Sequence, residues 1–102
     1  MDSHDLAELT TGLASRVNNL AVLTTGDTCR KLLGQQDELA KLAMVAIVKD
    51  LDAESTAYED AIAALNAATK ILGDADKKIA NVSKAIELVD KAISAAGKAL
   101  AA

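Results

Sequence analysis

The chain has 102 residues, with 11 basic and 15 acidic side chains, a net charge of −4 and an isoelectric point near 4.8. Tyr58 is its only Phe, Tyr or Trp residue. Because a basic surface and aromatic stacking platforms are both missing, we expect no nucleic-acid partner. Proline is absent and 22 residues are alanine, which favours an all-α chain with an aliphatic core.

The length predicts one domain covering residues 1–102, because it is close to the commonest domain size. A single cysteine, Cys29, cannot form an internal disulfide, and the first residues, MDSHDLAEL, lack the basic and apolar parts of a signal peptide. We therefore expect a cytoplasmic protein. The longest strongly apolar run, LAKLAMVAIV at 39–48, contains a lysine and falls short of the roughly 20 residues that span a bilayer. We expect no transmembrane segment.

The first predicted helix covers residues from about 4 to 24, with Ser3 as its N-terminal cap. Leucines and a valine recur at steps of three and four and predict one buried stripe: Leu6, Leu9, Leu13, Val17, Leu20 and Leu23. The TTGDT segment at 24–28 then indicates a turn in which Gly26 takes a positive φ.

The second predicted helix covers residues from about 28 to 51. Its polar stretch Gly34-Gln35-Gln36 indicates a kink or a frayed turn. Between residues 39 and 48 the apolar side chains point to several sides of a helix. We therefore predict that residues 39–48 are the most buried segment of the chain.

The junction between the second and third helices has two interpretations. We favour a break near residues 52–55, because Thr56 and Glu59 are spaced as a capping box. The apolar residues nevertheless keep helical phase across this junction. The alternative is one fused helix of about 45 residues, roughly 67 Å long, in a dimer of chains with three long helices.

The third helix is predicted to end at about residue 72, with Gly73-Asp74 as the stop, and the fourth to cover the rest of the chain from about residue 75. In the fourth helix, seven residues occupy heptad positions a and d: Ile79, Val82, Ile86, Val89, Ile93, Ala96 and Leu100. Four lysines share position f and predict a solvated row: Lys77, Lys84, Lys91 and Lys98. Small residues at the flanking positions widen the apolar face, which predicts contact with two neighbouring helices.

These four segments predict an antiparallel four-helix up-down bundle. Residues 76–102 carry five lysines and three acids, a net charge of +2, whereas residues 1–75 carry six basic and twelve acidic groups, a net charge of −6. We expect these opposed charges to help the fourth helix dock on the rest of the chain.

Candidate partner contacts come from two places in the sequence. Leu88 lies outside the apolar face of the fourth helix, which predicts an exposed contact. The other candidates are Glu54, Glu59 and Asp60, part of an acidic cluster around the junction that also includes Asp50 and Asp52 and that could bind a cation. More often such a cluster is a solvated helix end.

Catalytic and metal-binding motifs are missing from the sequence. The only histidine is His4 and no Glu-x-x-His motif exists, which excludes a ferritin-like metal centre. Cys29 lies beside Arg30 and Lys31, but nothing positions a base near it, and a structural role is the stronger interpretation. We expect no cofactor, no metal and no enzymatic activity.

The resulting hypothesis is a non-enzymatic helical bundle that binds another protein, as an adaptor, an inhibitor or immunity-type protein, or an assembly subunit. The same packing faces also allow self-association as a homodimer. An alternative from another class is a bundle that holds a small apolar ligand or lipid between its helices, in a slot left by alanine.

Overall fold

The computed structural model describes residues 3–48, 55–75 and 82–101. This part of the chain contains four helices and no strand: α1 (Ser3–Val22), α2 (Gly26–Val48), α3 (Thr56–Ala75) and α4 (Val82–Ala101). The all-α prediction is confirmed.

The helices surround a shared core. α1 packs on α2 and α3 packs on α4, while α1 also contacts α3 and α2 also contacts α4. Each helix therefore has two neighbours, as in a four-helix bundle, and the predicted up-down order stays a prediction. The longest axis measures 38 Å, about the length of one helix of α2's size at 1.5 Å per residue. A fused helix of roughly 67 Å does not fit this shape.

α1 buries most of its predicted stripe. Leu6, Leu13, Val17 and Leu20 are buried, and Leu9 is partly buried against the core. The prediction for Leu23 was wrong, because α1 ends at Val22 and the Leu23 side chain is 56% exposed in the turn. Thr10 is buried instead, with its Oγ1 donating a hydrogen bond to the Leu6 carbonyl at 2.7 Å.

The turns and helix ends lie close to the residues that the sequence predicted for them. Gly26 has a φ of 64°, as the TTGDT segment predicted. At the start of α3 the Tyr58 amide donates to Ser55 Oγ at 3.1 Å, so the cap is Ser55, one residue before the predicted Thr56. α3 continues through Gly73 to Ala75, so the predicted stop at Gly73 was placed too early.

α3 and α4 carry the faces that the sequence predicted. The predicted stripe of α3 is buried: Tyr58, Ile62, Leu65, Ala68 and Leu72. α4 contacts both α2 and α3, so its wide apolar face is confirmed. Its alanines Ala85 and Ala92 are fully buried, whereas Ile86 and Ile93 are only partly buried. Lys84, Lys91 and Lys98 are exposed as predicted, and Lys77 and Ile79 lie outside the described residues.

Candidate protein-interaction surface

α2 exposes a group of large apolar side chains, most of them in its second half. The exposed fraction is 84% for Val48, 70% for Met44 and 59% for Ile47, and it is 46% for Leu33 and 45% for Val45. The prediction that residues 39–48 form the most buried segment was therefore wrong. We call the exposed face the α2 surface and define it as Leu33, Ala40, Met44, Val45, Ile47 and Val48.

Helical geometry explains why these residues face outward. Leu39, Ala43 and Ala46 repeat at steps of four and three and are buried. At 100° per residue, Met44 lies about 140° from Leu39, on the other side of α2. Ile47 lies about 80° from Leu39, at the edge of the stripe and beside α1. Because α1 and α4 are the two neighbours of α2, they cover one sector of the helix and leave the rest to solvent.

Open grooves border the α2 surface on both sides. The groove toward α1 has a volume of about 450 Å³ and is lined by Ala7, Glu8, Thr11, Gly12 and Ile47. The groove toward α4 has a volume of about 300 Å³ and is lined by Glu38, Lys41, Leu42, Val45, Ile93 and Gly97. No heavy atom lies within 4 Å of the position that a Cβ would take at Gly12 or Gly97. Both glycines therefore have open space beside them in the grooves that border the α2 surface.

Charged side chains form the rim of this apolar surface. Lys41 Nζ lies 3.0 Å from Asp37 Oδ2, one helical turn away, and both side chains are largely exposed. The hydrogen bond to Asp37, together with the negative charge of that carboxylate, raises the pKa of Lys41 above its ordinary value of 10.5. Glu38 borders the groove toward α4, and Glu8 borders the groove toward α1. The rim therefore carries both signs of charge.

A buried polar bridge holds α2 against α4. Gln35 is 3% exposed, and its Nε2 donates to the Ile86 carbonyl at 3.0 Å and to Asp90 Oδ1 at 2.9 Å. Lys31 Nζ lies 3.3 Å from Asp90 Oδ2. The predicted kink at the Gly34-Gln35-Gln36 stretch was wrong, because α2 is continuous there and Gln35 is a contact between helices. In this ion pair α4 supplies the acidic residue and α2 the basic one. The prediction from net charge was the reverse, a basic fourth helix against an acidic remainder of the chain.

Of the candidate contacts from the sequence, the three that the structure describes, Leu88, Glu59 and Asp60, lie away from the α2 surface. Leu88 is partly buried and packs against the core, so less of it is available to a partner than its heptad position suggested. Glu59 and Asp60 are exposed on α3. Asp60 lines a groove of about 400 Å³ between α3 and α4, opposite Lys91 and Lys98. Glu54 lies outside the described residues, as do Asp50 and Asp52.

The remaining candidates from the sequence were a reactive cysteine and a cation site. Cys29 is a free thiol that is partly buried against the core. Within the described ranges, no three His, Cys, Asp or Glu side chains converge as metal ligands. No helix in the described part of the chain is long and apolar enough to cross a bilayer. No protein-family model, curated protein or solved structure matches the chain.

Sequence reasoning missed the α2 surface, although a signal for it exists. Leu33, Ala40 and Ile47 are each seven residues apart, and Met44 falls between the last two. This is a second apolar row, separate from the buried row that contains Leu39. Two such rows on one helix predict two packing partners on different sides.

Proposed function

We propose that the protein is a non-enzymatic helical bundle that works by binding another protein through the α2 surface. The observation that supports this is the cluster of large apolar side chains that α2 exposes, with Val48 at 84% and Met44 at 70%. Single exposed apolar residues are common, but contiguous groups rimmed by polar residues mark interaction sites. An adaptor, an inhibitor or immunity-type protein, and an assembly subunit all need such a surface.

The make-up of the surface fits a protein partner. It presents a ridge of apolar side chains between two grooves, the form in which one helix packs on another. Its rim is charged, with Glu8, Glu38 and Lys41 beside the grooves, as in protein interfaces with an apolar centre and a polar edge. Met44 is an unbranched, flexible side chain of the kind that fits different partner shapes. We also propose a cytoplasmic location, because a single cysteine cannot form an internal disulfide and disulfides are typical of secreted proteins.

The test compares two exposed apolar positions with the same substitution. Met44→Lys changes the α2 surface, whereas Val22→Lys changes a side chain that is 76% exposed at the end of α1. Proteins captured from a native lysate by the unchanged chain are purified and titrated against all three proteins by calorimetry. We expect Met44→Lys to weaken binding by at least about tenfold and Val22→Lys to leave it unchanged. Equal binding by all three proteins would contradict the proposal.

The second candidate function is binding of a small apolar ligand in the groove between α2 and α4. Leu42, Val45 and Ile93 line this groove, and the space over Gly97 is open. The groove is open to solvent, whereas pockets for small molecules enclose most of the ligand, so this function has less support. Native mass spectrometry of the protein purified from its own cells tests it: a retained ligand that is lost in Gly97→Leu supports it, and the bare chain mass argues against it.

A further inference from the structure

We propose that the α2 surface binds a second copy of this chain, with the two α2 helices packed side by side in antiparallel directions. The inference rests on the proposed function, because it names the occupant of the same surface. The result is a two-fold symmetric dimer, in which the same patch of each copy forms both sides of the interface.

The outer row of α2 has the spacing of a coiled-coil seam. Leu33, Ala40 and Ile47 occupy equivalent heptad positions, and Asp37 and Met44 occupy the positions between them. All five are exposed. The row covers 15 residues, or about 21 Å of helix at 1.5 Å per residue. Ala40 at its centre is small, which allows the axes of two helices to approach closely.

The antiparallel direction pairs apolar residues of this row without placing the two Asp37 side chains opposite each other. In an antiparallel coiled coil, Leu33 of one copy lies opposite Met44 of the second copy, and Asp37 lies opposite Ala40. The two-fold axis repeats each contact. Leu33 and Met44 therefore cover each other twice, and the small alanine lies opposite the aspartate. Ile47 lies beyond this paired part of the row, opposite Arg30 of the second copy.

Two charges, Asp37 within the row and Lys41 beside it, select the same orientation. Asp37 and Lys41 are one turn apart and already form an ion pair within each copy. In the antiparallel register, Asp37 of one copy lies next to Lys41 of the second copy, so opposite charges meet twice. A parallel pairing would place Asp37 opposite Asp37 in the seam, where like charges repel, and would put the two Lys41 side chains on opposite edges of the seam. This charge complementarity argues for a second copy as the occupant.

The first experiment measures mass in solution over a wide concentration range by sedimentation equilibrium. We expect the unchanged chain to shift from monomer to dimer as its concentration rises. Met44→Lys raises the dissociation constant by at least about tenfold, whereas the control Val22→Lys, which lies off the α2 surface, leaves it unchanged. Circular dichroism checks that both variants keep their helix content. A chain that stays monomeric, or a dimer that survives Met44→Lys, overturns the inference.

A charge exchange separates contacts between copies from the ion pair within each copy. Asp37→Lys carries positive charges at both position 37 and position 41, and Lys41→Asp carries negative charges at both. Each variant alone should dimerise weakly, because like charges meet across the interface. An equimolar mixture should regain the dimer as a heterodimer, since opposite charges then meet. The pair within each copy stays broken in both variants, so this rescue arises only across the interface. A mixture that behaves as the sum of its parts overturns the antiparallel pairing.

The outcomes also separate this inference from the proposed function. If the unchanged chain is monomeric and a different protein still binds in a manner that Met44→Lys abolishes, the proposed function stands and the second copy is wrong. If the α2 surface supports neither a dimer nor any other protein complex, both proposals fail.

Discussion

Two leucines on α2 give a direct test of which side of this helix faces the core. Leu39 is fully buried, whereas Leu33, six residues earlier, is 46% exposed on the α2 surface. Leu39→Ala and Leu33→Ala make the same chemical change in the same helix. Because alanine raises intrinsic helix propensity equally at both sites, the difference between them reports burial.

The burial of each leucine determines how much free energy of unfolding its replacement by alanine removes. Leu39 lies in the core beside the small side chains of Ala43 and Ala46 on the same stripe, which cannot fill the space that a lost leucine leaves. We expect Leu39→Ala to lower the free energy of unfolding by about 3 kcal/mol, within the range of about 2–5 kcal/mol for buried leucines. Leu33→Ala removes a side chain that is about half buried, so we expect a loss of about 1 kcal/mol.

Urea unfolding followed by circular dichroism measures both values. The protein concentration is kept low, because self-association through the α2 surface would add to the apparent stability. Equal slopes against urea show that the variants unfold by the same transition as the unchanged chain. Equal losses for the two leucines, or a larger loss for Leu33→Ala, would refute the burial of α2 described above.

Four further predictions concern local structure. Gly26→Ala should destabilise the fold by about 1–2 kcal/mol because alanine resists the positive φ of this residue. Gly34→Ala, with open space at its Cβ, should stabilise the fold by about 0.5–1 kcal/mol. Thermal unfolding measures whether each variant is less or more stable than the unchanged chain. Ser55→Ala removes the α3 cap and should cost about 1 kcal/mol in urea unfolding. Asp37 raises the pKa of Lys41, so the stabilisation from this ion pair is present below the ordinary lysine pKa of 10.5 and is lost as pH rises through the raised value; an NMR titration of Asp37→Asn should show the Lys41 pKa shifted down toward its ordinary value.

Features that depend on local chemistry were predictable from the sequence. Gly26 adopts a positive φ because a glycine after a helix has no Cβ to resist it. The row of lysines on α4 is exposed and its wide apolar face contacts two helices, because residue spacing fixes angles around a helix axis. Helix ends were less predictable. Ser55 and Thr56 are both competent caps, and the hydrogen bond to the Tyr58 amide distinguishes them.

Only the tertiary structure decided which apolar residues form the core. The number of residues between Leu39 and Met44 gives the angle between them around the axis of α2, but it does not give the positions of the neighbouring helices. α2 has α1 and α4 as neighbours, so Leu39 is covered and Met44 is 70% exposed. The same placement of α4 turns Gln35 from a polar gap into a buried hydrogen-bond donor. Burial depends on how many helices surround a residue, and a single helix sequence does not contain that number.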